Sequence, residues 1–544
     1  MARRVSTPRG PVALSPAVRQ ANVAQLARDT FDLLVIGGGI NGAGIARDAA
    51  LRGLRIALIE KGDFASGTSS RSSKLIHGGL RYLEIGDFRL VREACNERDR
   101  LRRRLAPHLV KPLAFLFPVY QGDPVGLFKL ELGMWAYDLL AAFRNIKMHR
   151  RLSRKQVARL EPSLRQSGLK GAKLYYDCVT DDARLTLETI LSASTEGAVV
   201  ANYVGVVDFL KADGRLIGAR VQDHRSGKVA EVHARVVVNA TGPWVDDIRR
   251  LDDPGARSSL RLTKGVHIVV PRQRLNHRFA VVLRAPQDHR ILFVIPWDDR
   301  TLIGTTDTDF RGSPDQVAVE SEDIAYLLEA VNAFFPDAHI TTADVVGSFA
   351  GLRPLVAPED ERDPSSVSRE ERVLTSASGL ISLAGGKLTT FRMVAQNVTD
   401  QVVRTLRSNP VLRSAPTRKR PRQTKNVPLL GGAGPRQRHD DGDHGLANHL
   451  RRYGARAPEV MAILQHQGDL ATPIVANMPY TKGEAVYAVE AEMALEAEDI
   501  LRRRTQISIR DGQAADQAAG DVEALIAPLL GRAIHAREPE DSES

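Results

Sequence analysis

FDLLVIGGGINGAGIARDAALRGLRIALIE, residues 31–60, decides the fold of this chain. Phe31–Ile36 and Leu54–Ile59 are short and largely apolar, as expected of strands buried within a parallel sheet. Between them Gly37, Gly39 and Gly42 stand in G-x-G-x-x-G spacing, directly after the first strand and at the mouth of a helical stretch, with Asn41 inside the turn. Glycines there let backbone approach a dinucleotide pyrophosphate, whose charge then faces a helix N-terminus. Glu60 closes the second strand about 20 residues on, where a carboxylate accepts from both hydroxyls of an unphosphorylated ribose. Strand, turn, helix, strand and terminal acid in register predict a bound dinucleotide. The fingerprint alone does not separate NAD from FAD.

The rest of the chain narrows the class. At 544 residues it has room for two or three domains, and 43% hydrophobic with 26% charged residues is an ordinary globular balance. Its formal net charge of +11 is unusual, and such a field attracts phosphorylated metabolites, acidic lipid headgroups or nucleic acid. Aromatics are only 5% and no basic segment is interleaved with stacking rings, so no nucleic-acid partner is expected. Cys95 and Cys178 offer neither metal-ligand nor C-x-x-C spacing; they read as small buried thiols in a reducing compartment, and no metal is expected. No apolar run approaches the ~20 residues that cross a bilayer. The opening MARRVSTPRGPVALSPAVRQ lacks the continuous apolar core of a secretory signal. A cytoplasmic chain, or one resting on a membrane without crossing it, is the expectation.

Residues 1–30, with Arg3, Arg4, Arg9, Arg19 and Arg28 against a single acid, read as a flexible basic arm carrying a short helix, Ala17 to Arg28. Ala234–Val238 is strand-like and leads into Asn239-Ala240-Thr241-Gly242. Gly265–Val270, Ile291–Trp297 and Thr301–Thr305 follow one another without helices, which favours an antiparallel or mixed sheet. Pro410–His444 has the Pro, Gly, Arg and Asp content of a linker, and the apolar spacing in 446–466 and 483–504 is helical. The end, EPEDSES, reads as disordered, and the arginines of 98–104 as a solvated helix face.

Residues 68–82, TSSRSSKLIHGGLRY, choose between the two dinucleotides. Small, polar and cationic, with Gly78 and Gly79 adjacent, this loop can run along an extended cofactor. It resembles the signature of FAD-dependent glycerol-3-phosphate dehydrogenases. The resemblance continues in order through Tyr176-Asp-Cys-Val-Thr-Asp-Asp-Ala-Arg-Leu185, Val238-Asn-Ala-Thr-Gly-Pro-Trp-Val245, Lys264-Gly-Val-His-Ile-Val-Val-Pro271, Phe293-Val-Ile-Pro-Trp297, Ile303-Gly-Thr-Thr-Asp307, Gly351-Leu-Arg-Pro354 and Gly385-Gly-Lys-Leu-Thr-Thr390. Tyr480-Thr-Lys-Gly-Glu484 and Leu501-Arg-Arg-Arg-Thr505 are similar to the C-terminal domain of that family.

The resemblance implies an α/β fold: an FAD-binding Rossmann-like domain of glutathione-reductase/amino-acid-oxidase type, an inserted mixed or antiparallel β-sheet substrate domain, and a C-terminal helical domain. The expected boundaries are an arm at 1–30, FAD-binding segments at about 31–110, 175–250 and 340–405, and substrate segments at about 111–174 and 251–339. A linker at 406–445, a helical domain at 446–530 and a disordered tail at 531–544 complete them. Expected FAD contacts are Gly37, Gly39, Asn41, Gly42, Glu60, Thr68, Ser69, Ser70, Ser73, Lys74, His77, Gly78, Gly79, Ala240, Gly242, Gly385, Gly386, Lys387, Leu388 and Thr389.

The implied reaction moves the C2 hydride of sn-glycerol 3-phosphate to flavin N5, giving dihydroxyacetone phosphate, with the electrons passed on to membrane quinone. A dianionic phosphate needs cationic donors, and an alcohol losing hydride needs a group to take its proton. Arg81 in GGLRYL and Arg353 in GLRPL are embedded in glycine-rich or apolar surroundings, and Lys387 in GGKLTT has flavin-side neighbours. Substrate contacts are expected from Arg81, Tyr82, Arg353, Lys387 and Thr390, and the catalytic group from Arg353 with His267 or Lys387. Thr390 and Asp307 also read as supporting groups behind the catalytic ones. His267 alternates along its strand so that it faces either substrate or core. Val125–Phe143, VGLFKLELGMWAYDLLAAF, reads either as a contact with an anionic membrane surface, at the inner face of the cytoplasmic membrane, or as a core helix pair. A homodimer is also compatible with this reading. Two other readings remain: an oxidase passing electrons to O2, and a flavin-bearing nucleic-acid sensor using the basic cluster at 418–425.

Overall fold

Apolar alternation and glycine punctuation divide the chain into three layered units in the computed structural model, which describes residues 13–83, 86–357, 371–408, 421–434, 445–466 and 468–535. Leu33–Ile36 and Ile56–Ile59, buried at every position, pair in parallel at the centre of a six-stranded sheet. Val199–Ala201 extends it on one side; Val237–Asn239, Ile381–Ala384 and the antiparallel edge strand Arg372–Thr375 extend it on the other. One face buries Ile40–Leu51, Asp182–Thr195 and Phe391–Ser408 through a cluster that includes Val35, Ala43, Ala46, Leu187, Val394 and Val398. The opposite face is covered by a four-stranded sheet packed through Phe31, Ala57, Val221 and Val237.

The second unit is a ten-stranded sheet. Leu260–Pro271 lies between Arg300–Gly304 and Gly347–Val356 in antiparallel pairing, while Lys111–Tyr120 pairs in parallel with Ala280–Arg284 and antiparallel with Leu169–Val179. The sheet is therefore mixed. Ile291–Trp297 forms a strand over the span its alternation predicts. Gly265 and Gly351 face each other in the central register, where a Cβ would meet the Arg353 guanidinium or the Arg71 carbonyl oxygen.

The third unit packs Lys482–Glu492, a short π-turn at Asp499–Arg504, Ile507–Arg510 and Gly512–His535 around Tyr480, Ala488, Ile500 and Val522. Among the described residues no helix is long and apolar enough to cross a membrane, and no group of His, Cys, Asp or Glu is placed to hold a metal ion. Cys95 and Cys178 are free and buried.

Three expectations need correction. From residue 13 onward the basic arm is packed: Leu14 is fully buried and bridges to Glu492, and the helix Pro16–Arg28 is capped by Ser15 and held by Arg19, which pairs with Asp223 at 2.6 Å and donates to the Asn202 carbonyl at 2.8 Å. A buried ion pair with Leu14 and Leu26 as apolar anchors outweighs the solvation that charge content alone suggests. Arg3, Arg4 and Arg9 lie outside the described residues. Part of the supposed linker is packed too, since Thr424 is buried against Asp48 at 2.9 Å and Arg47 donates to the carbonyls of Val427 and Pro428; residues 409–420 and 435–444 lie outside the described set. Arg98 is buried rather than solvated, and its partners are Asp177 and Asn145.

Candidate active site

The glycine turn is built for a phosphate. Gly37 has φ +109°, and a Cβ there would sit 2.7 Å from the carbonyl oxygen of Ala240. A Cβ on Gly42 would run into the carbonyl oxygen of Gly37. The helix Ile40–Leu51 starts at Gly39 without a side-chain cap from its own N-cap; instead Ser69 Oγ accepts from the Ile40 N–H at 2.9 Å. Glu60 is clamped by backbone, accepting from Gly38 N–H at 2.6 Å and Gly62 N–H at 3.0 Å. Burial raises its pKa, against the pull of those two hydrogen bonds. A carboxylate has about four lone-pair sites, so it still has capacity for ribose hydroxyls. Beside it Asn41 donates to the Gly385 carbonyl at 3.4 Å, while its buried Oδ1 lacks a partner among the described residues. Gly386, at φ +105°, comes close enough to Asn41 that a Cβ would sit 2.9 Å from its amide nitrogen. An orphaned buried acceptor, a cradle that any Cβ would fill and a helix start with a glycine at its N-cap all fit the ADP portion of FAD.

From the turn a cavity of about 190 Å³ leads to the second unit. Thr68, Ser73, His77, Tyr82, His267, Arg353, Gly386, Lys387, Leu388 and Thr389 line it together, residues far apart in the chain. Arg353 Nη1 pairs with Asp307 Oδ1 at 3.0 Å, and its Nη2 donates to Thr305 Oγ1 at 2.8 Å and to the Thr306 carbonyl at 3.0 Å. Lys387 Nζ lies 3.5 Å from the centre of the Tyr82 ring. Thr389 Oγ1 accepts from the His77 N–H at 3.1 Å, tying the strap at 385–390 to the loop at 68–82.

His267 is buried, its ring stacked on Phe349 with centroids 4.9 Å apart and its Nε2 2.9 Å from Ser73 Oγ. Burial, reinforced by the charges of Arg353 and Lys74, pushes its pKa down to about 3. It is a neutral imidazole throughout the neutral range.

Some predicted residues sit elsewhere. Lys74 is buried with Nζ on Asp182 Oδ1 at 2.6 Å, so its ammonium is turned from the cavity; it adopts φ +59° to reach that partner. Thr390 is buried at the start of the helix Phe391–Ser408 and lines neither the cavity above nor its neighbour below. Ser70 is buried in the 68–70 turn; Ala240, just after the Val237–Asn239 strand, lies against Gly37, and Gly242 begins the short turn that follows. The Arg81 side chain lies outside the described residues. Arg71 and Ser72 also line the cavity. The run of serines signals such a loop, yet nothing in it ranks one residue above its neighbours.

A second, largely apolar cavity of about 390 Å³ shares Ser73, His77, Tyr82 and Arg353 with the first. Phe115, Phe117, Leu130, Tyr175 and Phe293 line it, and it runs beneath the helix Leu127–Leu140. That helix is apolar on both faces. Leu130 and Met134 are buried inward, whereas Phe128, Leu132, Trp135 and Leu139 are 77, 56, 52 and 63% exposed.

Residues 32–399 match the model of the FAD dependent oxidoreductase family, and residues 422–537 match that of the C-terminal domain of alpha-glycerophosphate oxidase. A glycerol-3-phosphate dehydrogenase 2 of Mycobacterium tuberculosis is 43% identical over 95% of this chain and 88% of its own length. An aerobic glycerol-3-phosphate dehydrogenase of Bacillus subtilis is 36% identical over 90% of this chain and 89% of its own. The crystal structure of the glycerol-3-phosphate dehydrogenase of Bacillus halodurans complexed with FAD superposes with a TM-score of 0.73 at 31% identity, covering 97% of this chain and 100% of that one. With the glycine cradle, the mixed second sheet and the cationic cavity between them, these likenesses assign the chain to the glycerol-3-phosphate dehydrogenases of the FAD dependent oxidoreductase family.

Proposed function

We propose that the chain oxidises sn-glycerol 3-phosphate to dihydroxyacetone phosphate with FAD as the first acceptor, and passes the electrons to membrane quinone. The observation that carries this reading is the convergence of Arg353 and Lys387 with His77 and Gly386 in one cavity. FAD, when bound, supplies the two-electron oxidant; the protein binds, orients and polarises. Lys387 with Arg81 takes the phosphate. Arg353, held by Asp307, Thr305 and Thr306, stabilises negative charge on the C2 oxygen as its proton passes to the neutral imidazole of His267 in the same cavity. Burial pushes the His267 pKa down to about 3, so at rest it is a neutral hydrogen-bond partner of Ser73 and holds a substrate proton only transiently. Adding sn-glycerol 3-phosphate to the yellow protein without air should bleach the visible flavin band. An unchanged spectrum would sink the substrate assignment.

The apolar cavity and the exposed face of Leu127–Leu140 support a lipophilic acceptor and peripheral attachment to the inner face of the cytoplasmic membrane, helped by the net charge of +11. Flotation with anionic vesicles at low and high salt tests the attachment, and sedimentation of the same samples reports whether two copies pair. The match of residues 422–537 to an alpha-glycerophosphate oxidase domain favours one second reading, transfer to O2. Stoichiometric peroxide in air would select it.

A further inference from the structure

His77 lines both cavities and Gly79 lines the larger one, so the turn His77–Gly79 borders each. On its cofactor side His77 is tied through its amide to Thr389 Oγ1, at 3.1 Å. On the other side the Gly78 N–H donates to Tyr137 Oη at 2.9 Å and to Asp177 Oδ1 at 3.2 Å. Tyr137 Oη donates in turn to Asp177, at 2.8 and 2.9 Å to its two oxygens, and Arg98 Nη1 reaches both Tyr137 Oη, at 3.1 Å, and Asp177. All three side chains are buried. They come from three elements: Phe88–Arg100, Leu127–Leu140 and Leu169–Val179.

A buried carboxylate–guanidinium pair with a phenol is an expensive way to pack a core, since apolar residues of the same shape are often at least as stable. Such a network specifies one arrangement when every member is satisfied. Here Tyr137 and Asp177, held to each other and to Arg98, both accept from the Gly78 amide. Tyr137 keeps its proton, because burial pushes its pKa well above the ordinary value, so its hydroxyl gives to Asp177 and its oxygen accepts from Gly78. The fit leaves no room at Gly78: a Cβ would collide with Tyr137 Oη and Cys95 Sγ.

We propose that Tyr137 and Asp177 are positioning residues for the oxidation: they fix the Gly78 amide, and with it the segment at 77–79 that would border the cofactor's reacting end. Phosphate capture stays with Lys387 and Arg81, which are not on this turn. The inference rests on the cavity being the site of flavin reduction.

The test is Tyr137→Phe in the FAD-loaded enzyme, which removes one oxygen and keeps the ring. With the Gly78 amide less constrained, kcat should fall about tenfold while KM for sn-glycerol 3-phosphate stays within about twofold, because the lost interaction is not one the substrate makes. The visible spectrum of bound flavin should shift in the same variant without any substrate present. Unchanged kcat with an unshifted spectrum overturns the proposal. So does a loss of activity accounted for entirely by lost flavin, or a rise in KM alone. Asp177→Asn, if it folds, should show the same split more strongly; if it does not fold, Tyr137→Phe decides alone. Should wild-type flavin resist bleaching by sn-glycerol 3-phosphate, the substrate assignment fails, and the substrate-free spectrum of the variant still judges the positioning role.

Discussion

Arg353 shows how a single side chain becomes readable before any fold is known. One arginine between glycine, leucine and proline has no solvated face to belong to, and its planar fork suits an oxyanion. Its three protein partners hold two of its nitrogens in place, so Arg353→Lys keeps the charge but loses the fork. A fall in kcat/KM of about a hundredfold is expected from steady-state assays, with a retained flavin spectrum. His267 could not be read the same way. Alternation along its strand left substrate and core equally open, and only Phe349, Ser73, Arg353 and Lys74 around it settle its charge. Since it is neutral above about pH 3, His267→Asn should move no inflection of the kcat/KM profile between pH 5 and 9. It does affect stability. The unfolded chain takes up a proton near pH 6.5 that folded His267 refuses until about pH 3, so this residue's share of stability is present above 6.5 and is lost as pH falls toward 3. Lys74 and Arg98 were misread because their partners, Asp182 and Asp177, are 108 and 79 residues away.

Among the elements, the glycine turn was the most readable because its function is local. Strand, turn and helix are consecutive, and the reasons for each glycine lie within the same unit. Gly42→Ala should prevent FAD binding, since its methyl group would meet the Gly37 carbonyl; the purified variant should be colourless while circular dichroism retains the native helix content. Leu127–Leu140 was the least readable. A helix apolar all round is buried or faces an apolar environment, and pattern alone does not choose. The structure leaves Phe128, Leu132, Trp135 and Leu139 outside. If that face meets lipid, the double variant Leu132→Glu, Trp135→Glu should no longer float with anionic vesicles yet should still be bleached by substrate in solution. Co-flotation equal to the wild type would count against the membrane reading.

At the scale of the molecule, the C-terminal unit is locked to the dinucleotide unit by charge. Asp63 receives Arg503 Nε at 2.5 Å, Arg504 Nη1 at 2.6 Å and Asn202 Nδ2 at 3.2 Å, all buried, and Asn202 also donates to the Met493 carbonyl at 2.8 Å. Burial alone would raise the Asp63 pKa, but Arg504 and Arg503 overcome it and bring the group down to about 2. Its stabilising contribution is therefore complete above the ordinary carboxylate value near 4 and is lost as pH falls from there toward 2. Acid melts should show that loss in the wild type. Asp63→Ala, which leaves Arg503 with Asp499 and Arg504 with the Glu492 carbonyl but removes the carboxylate they share, should lower unfolding stability by about 3 kcal/mol, read from denaturant midpoints. Asp63 lies three residues beyond Glu60, so the same substitution should weaken FAD retention as well.

The cofactor class and the order of units could be taken from the chain because glycine spacing, strand composition and terminal acid act over a few residues, where covalent connection already sets geometry. The place of Arg353 and Lys387 in the cavity could be anticipated for the same reason: their immediate neighbours exclude an ordinary surface role. Which groups face the cavity is different in kind. The ammonium of Lys74 is turned to Asp182, the phenol of Tyr137 to Gly78 and the carboxylate of Asp63 to Arg504 by packing between elements that meet only after folding. The direction, burial and charge of a side chain depend on what lies across the interface, and only the assembled molecule supplies that neighbour.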